Sequence, residues 1–165
     1  MDYLWTPWRY AYLTGSDVAA APSGGCIFCT AAAASDDRQF LVVHRARHNF
    51  VILNRYPYSS GHVMVVPYAH MGTLAVLPDD ALTEMMFLAR TCERILRETY
   101  HPDGLNLGLN IGKSAGAGVA EHIHLHALPR WAGDANFMTA IAETRVLPEE
   151  LTATWSRLRD AFAKA

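Results

Sequence analysis

The chain has 165 residues, of which 51% are hydrophobic and 18% are charged, and its formal net charge is -2 at pH 7. This balance predicts one globular domain with a sizeable core and excludes a disordered chain. The small net charge gives no broad basic field, and the sequence has neither a long apolar run nor a signal-peptide pattern. We therefore expect a cytoplasmic protein with no nucleic-acid partner and no membrane partner.

The first segment, residues 1–25, is rich in aromatic side chains but follows no clean period. We expect an arm that covers apolar surface of the core, and a subunit contact or a lid is the alternative interpretation.

Cys26-Ile27-Phe28-Cys29 follows this arm and leads into an alanine-rich run that predicts a short helix. Two thiolates at this spacing can share one tetrahedral zinc ion, but a closed structural site needs two further protein ligands. A redox pair and two free thiols remain open as alternatives.

Three strands are predicted next, at Phe40–His44, Asn49–Leu53 and His62–Pro67, because each is rich in Val, Ile or aromatic residues. A meander is the simplest topology for them. The loop from Asn54 to Gly61, which contains Pro and Gly, joins the last two strands.

From Pro78 the apolar period changes to that of a helix, which Asp79 or Asp80 can cap and which ends near Tyr100. Its buried stripe is predicted to contain Leu82, Met85, Met86, Ala89, Cys92 and Leu96. Oppositely charged residues four apart mark the solvated face. A second helix is predicted from Pro148 to the end of the chain, with Leu151, Trp155, Leu158 and Phe162 on one side.

A fourth strand, Leu105–Ile111, alternates apolar and small polar residues and runs into the glycine-rich stretch Gly112–Gly118. Glycines let backbone N–H groups approach phosphate oxygens closely, and Lys113 adds a nearby cation. The stretch is a weak motif alone, and its place directly before a histidine-rich strand makes it informative.

That strand is predicted at Glu121–Trp131, where histidines and apolar residues alternate with a period of two. The pattern predicts three imidazoles in a row on one face, with apolar side chains on the other: His122, His124 and His126 against Ile123, Leu125 and Ala127. Since histidine is costly to bury without partners, three in register indicate a functional site.

The His-x-His-x-His pattern, preceded by Gly112–Gly116, resembles the histidine-triad (HIT) superfamily of nucleotide hydrolases and transferases, over most of the chain. The tail Pro129-Arg130-Trp131, followed by Gly133-Asp134 and Asn136-Phe137, is similar to bacterial members grouped with diadenosine tetraphosphate phosphorylases and hydrolases. The resemblance implies one α+β HIT domain over residues 1–165. It would contain a five-stranded antiparallel sheet, one long helix and a C-terminal helix at 148–165, and would pair into a homodimer.

The resemblance assigns the nucleophile to His124, while His126 and His62 would bond to phosphate oxygens or orient the ring. The backbone at Gly116 and Gly118 would hold the non-bridging oxygens. One extra residue lies between Gly112 and His122 compared with the usual pattern, and the common polar pair is replaced around Ala117-Gly118. Backbone contacts are therefore expected to carry more of the phosphate binding.

The segment from Asn54 to His62 is similar to that of fragile-histidine-triad proteins, which implies that Asn54 contacts the ribose hydroxyls. A turn-capping role is the alternative for this residue. Ile52 and Met64 would flank the base, and Asn110 would also contact the nucleotide.

Zinc-containing HIT proteins complete their site with two histidines, and the matching positions here are His70 and His122. The resemblance thus implies a structural zinc ion held by Cys26, Cys29, His70 and His122. No catalytic cofactor is expected.

The expected reaction is cleavage of a dinucleoside polyphosphate at the α-phosphate through a nucleotidyl-histidine intermediate. Histidine at position 126 favours water as acceptor, whereas the tail at 129–131 favours phosphate. A non-catalytic nucleotide sensor and a hydrolase of nucleoside phosphoramidates are alternatives. A metal-centred oxygenase or cupin-like barrel, with one metal bound by His122 and by His124 or His126, is disfavoured because Glu121 would point to the opposite face of the strand.

Overall fold

The computed structural model describes residues 25–134 and 149–165. Its sheet has five antiparallel strands: β1 (Val42–Arg45), β2 (Asn49–Leu53), β3 (Val63–Pro67), β4 (Gly104–Leu109) and β5 (Leu125–Arg130). Their order is β1-β2-β3-β5-β4, so the last strand inserts between β3 and β4. The predicted five-stranded antiparallel sheet is confirmed, and its first three strands form the expected meander.

In the described residues three α-helices accompany the sheet: α1 (Ile27–Ala33), α2 (Asp79–Tyr100) and α3 (Leu151–Phe162). Short 3-10 turns cover Leu74–Val76 and Lys113–Ala115. Helix α2 packs on β2, β3 and β5, while α3 packs on β1 and α2. The α+β architecture with one long helix and a C-terminal helix is therefore confirmed.

Helix α2 begins and ends where the sequence pattern predicts. Cys92 is completely buried, and burial raises the pKa of its thiol to about 12, so it is an inert core residue. On the exposed side Arg97 and Glu93 form an ion pair at 2.9 Å.

The prediction that Met86 belongs to the buried stripe is wrong, because its side chain is 56% exposed and the stripe continues instead through Leu88 and Ile95.

Strand β4 lies at the edge of the sheet and is shorter than the predicted 105–111 segment. Its apolar alternation is present in the sequence, but Leu107 and Ile111 are 47% and 48% exposed. The described residues thus leave part of this apolar row uncovered.

The histidine segment departs most from the prediction. Strand β5 begins only at Leu125, so His126 lies in the strand whereas His122 and His124 precede it. The N–H of Ile123 donates to the carbonyl of Met71, outside the strand ladder. The expected row of three imidazoles on one strand face is therefore wrong.

Three features used in the sequence analysis lie outside the described residues: nearly all of the aromatic arm at 1–25, Asn136-Phe137, and Pro148 at the start of the C-terminal helix. The extent of the single domain over residues 1–165 stays a prediction. None of the helices in residues 25–134 and 149–165 is long and apolar enough to span a bilayer.

Candidate functional site

Strand register places the predicted base-flanking residues beside a triad histidine. Ile52 pairs with Met64, which pairs with His126, and His126 pairs with Gly108 on the far side. Directly opposed residues on neighbouring strands share one face of the sheet, so these side chains form one row. Leu109 pairs with Leu125, and these two residues are followed by Asn110 and preceded by His124 in the chain.

His124 is held in one tautomer by the backbone. Its Nδ1 lies 2.8 Å from the carbonyl oxygen of His122. A carbonyl can only accept a hydrogen bond, so Nδ1 carries the proton and Nε2 carries the lone pair. Burial lowers the pKa of His124, although the bond to the His122 carbonyl opposes part of that effect. The ring, only 4% exposed, is therefore a neutral imidazole with a basic Nε2.

His126 is held in the opposite tautomer through His62. The backbone N–H of Tyr58 donates to Nδ1 of His62 at 3.1 Å, so the proton of His62 is on Nε2. That Nε2–H donates to Nδ1 of His126 at 2.9 Å. The proton of neutral His126 is consequently on its own Nε2. Burial and the neighbouring His124 lower the pKa of His126 to about 4, so the ring is neutral at pH 7.

The two triad rings nearest each other thus have opposite hydrogen-bonding character. The ring centroids of His124 and His126 are 4.9 Å apart and the rings lie at 70° to each other. His124 presents a lone pair on its Nε2, and His126 presents an N–H at its Nε2. A phosphoryl group beside them could be attacked by His124 while His126 donates to one of its oxygens.

Asn54 borders this site and caps the following turn. Its Oδ1 accepts from the backbone N–H of Tyr56 at 3.0 Å, and its Nδ2 lies 3.4 Å from Nδ1 of His62. The turn-capping interpretation therefore describes one of its bonds. The ribose-binding role stays a prediction.

The glycine-rich stretch forms a tight turn. Gly112 and Gly116 have φ of 83° and 88°, a left-handed conformation that favours glycine. The amide of Gly116 donates to the carbonyl of Lys113 at 2.9 Å, so this amide is already used inside the turn. Gly118 is exposed, and a Cβ built there would meet nothing within 4 Å. Of the two predicted glycines, Gly118 has the more accessible backbone for a phosphate.

A second cluster forms where the start of α1 meets the end of β3 and the first triad histidine. Cys26, Cys29, His70 and His122 each present one ligand atom, and these four atoms lie within 4.8 Å of one another. Nδ1 of His122 is 3.3 Å from Sγ of Cys26 and 3.6 Å from Sγ of Cys29. Nδ1 of His70 is 3.3 Å from Sγ of Cys29 and 3.2 Å from Nδ1 of His122. These residues could hold a metal ion.

The cluster fits a tetrahedral zinc ion. Ligand bonds of about 2.3 Å to sulfur and about 2.0 Å to nitrogen place sulfur about 3.5 Å from nitrogen, and the two nitrogens about 3.3 Å apart. Nε2 of His122 lies 2.8 Å from the carbonyl oxygen of Pro67, so it donates and leaves Nδ1 unprotonated for a metal. Burial and the neighbouring Cys26 raise the pKa of Cys29, an effect that a bound cation would offset.

This cluster is the one group of three or more His, Cys, Asp or Glu side chains in residues 25–134 and 149–165 that could hold a metal. His124 and His126 are not part of it. The cupin-like alternative, which needs one of them as a ligand beside His122, has no support from these residues.

Two contributors to the site were missed by the sequence analysis. Phe28 contacts the rings of His122 and His124, and Tyr58 fixes the tautomer of His62 through its backbone N–H. The position of an aromatic residue, Phe28, between the two candidate metal ligands Cys26 and Cys29 was a sequence signal that it borders the site. A backbone amide carries no side-chain signal in a sequence, so the second could not be found there.

Comparison with known proteins gives one family match and several close relatives. The model of the HIT domain family matches residues 37–133. The chain is 39% identical to a protein named AP-4-A phosphorylase from Mycobacterium tuberculosis, over 99% of this chain and 86% of that protein.

Solved structures agree with this match. A zinc-bound histidine triad family protein from Mycobacterium smegmatis superposes with a TM-score of 0.68 at 29% identity, covering 87% of this chain and 96% of that one. A member of the HIT family from Bacillus subtilis gives a TM-score of 0.61 at 27% identity, covering 85% of this chain and 96% of that one.

Proposed function

The chain belongs to the HIT domain family and is an enzyme of that family, and we propose that it cleaves diadenosine tetraphosphate or a similar dinucleoside polyphosphate at an α-phosphate. The acceptor is inorganic phosphate. The observation that carries the proposal is the pair of opposed tautomers, with a lone pair on Nε2 of His124 and a proton on Nε2 of His126.

The first chemical step forms one bond and breaks one. Nε2 of His124 attacks the α-phosphorus, a P–N bond forms, and the bond from this phosphorus to the bridging oxygen breaks. With diadenosine tetraphosphate the leaving group is ATP. The Nε2–H of His126 donates to the phosphate oxygens as negative charge develops on them. Before the attack, the lone pair is available at neutral pH because burial lowers the pKa of His124.

In the second step an oxygen of inorganic phosphate attacks the same phosphorus and the P–N bond to His124 breaks. The product is ADP, and the imidazole returns to its starting state. Water in place of phosphate would give AMP. The relative named AP-4-A phosphorylase, 39% identical over nearly the whole chain, supports phosphate as acceptor. The tail at 129–131 favours the same choice.

The nucleotide would lie along the row formed by Ile52, Met64 and His126. The first two flank the base, while Asn54 and Asn110 at the ends of β2 and β4 reach the ribose and the α-phosphate. The exposed backbone at Gly118 is the better of the two glycine positions for a non-bridging oxygen, because the amide of Gly116 is used in its own turn. His62 acts behind His126 and positions it.

The Cys26, Cys29, His70 and His122 cluster would hold zinc. Bound there, zinc supplies a structural link between the start of α1, the end of β3 and the residue two before the nucleophile. The four ligand positions would be filled by protein atoms, so this site has a structural role and activates no water. Its donor set and distances support the assignment, as does the zinc-bound relative from Mycobacterium smegmatis.

We also propose that two copies pair through the open edge of the sheet. Within residues 25–134 and 149–165, β4 has a neighbouring strand on one side only, and Leu107 in this strand and Ile111 just after it are about half exposed. Met86 and Phe87 on α2 are also more than half exposed. Exposed apolar area of this kind favours self-association.

Product analysis tests the reaction. The enzyme is incubated with diadenosine tetraphosphate, with and without isotopically labelled inorganic phosphate, and the nucleotides are separated by chromatography. The expected products with phosphate are ATP and ADP, with the label in the β-phosphate of ADP. AMP and ATP as the sole products under both conditions would establish hydrolysis instead. Two unlabelled ADP molecules would mean cleavage away from the α-phosphate and would contradict the proposed chemistry.

Binding by a variant separates an enzyme from a nucleotide sensor. His124→Ala removes the nucleophile but leaves the row at Ile52, Met64 and His126. We expect it to bind diadenosine tetraphosphate within a few-fold of the wild-type Kd and to release no product. A wild-type protein that binds and never turns over would instead be a sensor.

A further inference from the structure

We propose that Phe28 is a positioning residue for His124 and that it transmits the state of the metal cluster to this ring. The inference deepens the proposed function, because it concerns the same nucleophile. The inference also goes beyond the proposed function, because it assigns a role to an apolar side chain that neither binds metal nor touches substrate.

Phe28 touches both kinds of site at once. Its ring is 2% exposed, and its centroid is 4.8 Å from that of His124 and 5.3 Å from that of His122. The contact with His122 is edge-to-face at 69°, and the contact with His124 is tilted at 47°. One side chain therefore packs against a metal-cluster ligand and against the proposed nucleophile.

The hydrogen bond to His124 does not fix its ring alone. The bond from Nδ1 to the His122 carbonyl holds one edge of the imidazole, and the ring can still pivot about that bond. The Phe28 ring packs on the imidazole and restricts this movement. Since the nucleophilic Nε2 is the atom opposite the anchored edge, a pivot would displace the reacting atom most.

Phe28 is connected to the cluster through the backbone, and it also belongs to the hydrophobic core. It lies between Cys26 and Cys29 in the first turn of α1, where its neighbour Ile27 is 47% exposed. The other end of this seven-residue helix is held by Arg45, whose guanidinium donates to the carbonyls of Ala31, Ala32 and Ala34 at 2.9, 2.9 and 3.0 Å.

Arg45 is also fixed, because it pairs with Asp37 at 2.8 Å. The C-terminal end of α1 is therefore held to β1 by hydrogen bonds. The N-terminal end is held by the contacts of the Cys26 and Cys29 thiols with His70 and His122. A metal ion bound by the four ligands would fix that second end. Its loss would free the turn that carries Phe28 and so release the ring of His124.

A simple core role makes a different prediction. If Phe28 only fills space, shortening it lowers stability and leaves the rate per folded molecule unchanged. If it positions His124, shortening it lowers kcat while KM for the dinucleotide changes little, because the base and ribose contacts are elsewhere. A small displacement of a reacting atom can reduce the rate by about 100-fold.

The kinetic test uses Phe28→Leu in the full chain, because leucine keeps an apolar side chain but not a flat ring. Phe50→Leu is the stability-matched control, since Phe50 is completely buried in β2 and packs on Tyr68. Ile27→Ala is the control within the same turn. We expect kcat of Phe28→Leu to fall about 10- to 100-fold with KM within twofold, and with one zinc ion still bound per chain. Both controls should keep the wild-type kcat.

A second measurement reads the ring of His124 without turnover. Proteins with isotopically labelled histidine are compared by NMR in zinc-loaded form and after chelation, and His124→Ala identifies the signals. In wild type, zinc removal should shift and broaden the ring signals of His124. In zinc-loaded Phe28→Leu these signals should already be shifted and broadened.

The kinetic test and the NMR comparison can each give a negative result independently of the other. Wild-type protein that does not cleave diadenosine tetraphosphate would contradict the proposed function, and the NMR comparison would still test Phe28. Zinc-loaded Phe28→Leu with wild-type kcat and wild-type His124 signals would overturn the inference. An equal loss of kcat in Phe50→Leu would also overturn it, because the effect would then be one of general stability.

Discussion

Nε2 of His62 donates its proton to Nδ1 of His126 across 2.9 Å. This bond determines which nitrogen of His126 faces a substrate as a donor, because the backbone N–H of Tyr58 has already occupied Nδ1 of His62. Buried His62 thereby controls the hydrogen-bonding character of the His126 ring in front of it.

Substitution of His62 should therefore lower the rate through His126. We expect His62→Leu to reduce kcat about 100-fold, since His126 would lose the donor that fixes its tautomer. His62→Gln, whose amide N–H can replace that donor, should retain more activity than His62→Leu. Steady-state kinetics of both variants, at matched folded fraction, makes the comparison. Equal losses of kcat in the two variants would show that side-chain volume at position 62 matters and that placement of the proton on His126 does not.

Metal removal should destabilise the fold as well as the site. The cluster joins residues far apart in the chain, since Cys26 and His122 are separated by 96 positions in the sequence. We expect one zinc per chain, and a stabilisation of about 4 kcal/mol when free zinc is a thousand times its Kd. Zinc analysis and urea unfolding, with and without chelator, measure both. Cys29→Ser should lose the metal, while Cys92→Ala, which alters a thiol away from the cluster, should keep it. A chelator-insensitive unfolding midpoint would contradict a structural metal.

Gly61 should tolerate no side chain. Its φ is +81°, and a Cβ there would lie 2.9 Å from the Tyr100 ring and 3.2 Å from Leu96. The Tyr100 ring cannot easily yield, because its hydroxyl donates to Glu149 at 2.7 Å. Gly61→Ala should cost about 2–4 kcal/mol of unfolding free energy.

Because Gly61 precedes His62, Gly61→Ala should also lower activity in the folded fraction. The control is Gly104→Ala, where a Cβ meets nothing within 4 Å. Denaturant unfolding of both variants tests the difference, and similar stabilities would refute the steric argument.

Glu84 should make stability fall in acid. Burial acts to raise the pKa of this carboxyl, but hydrogen bonds from the Asn49 side chain and from the amides of His48, Arg47 and Asn49 outweigh it and leave the pKa below its ordinary value. A lowered folded-state pKa stabilises the protein above the unfolded-state pKa of about 4.3, and the contribution is lost as pH falls through the folded-state pKa.

Glu84→Gln should therefore cost about 1–3 kcal/mol at pH 7. The difference from wild type should shrink below pH 4, where the wild-type carboxyl is increasingly protonated. Urea unfolding from pH 7 down to pH 3 measures it. A difference that stays constant with pH would show that the charge of Glu84 contributes nothing.

Local patterns predicted the regular elements well. Helix α2 was predicted at its observed ends because the change of period at Pro78 and the turn after Tyr100 are both encoded nearby in sequence. The exposure of Met86 was not predictable from period alone, since it lies at the margin of the stripe and its burial depends on what α2 packs against.

The triad shows why the rest could not be predicted from alternation. His122 has its ring in the cluster with Cys26, Cys29 and His70, which come from distant segments, so the chain leaves the strand ladder before Leu125. The resemblance brought those four residues together, and the geometry is consistent with it. The proton positions on His124 and His126 depend on a carbonyl and on Nε2 of His62, groups that no spacing rule contains.

Trapping the covalent intermediate tests the central claim most directly. Wild-type protein is mixed with diadenosine tetraphosphate without phosphate, quenched within milliseconds in base because the P–N bond is acid-labile, digested, and examined by mass spectrometry. We predict one adenylyl group on the peptide containing residue 124, located on His124 by fragmentation and absent from His124→Ala. An adenylyl group on His126, or ATP release with no labelled histidine, would contradict the assignment of His124 as the nucleophile.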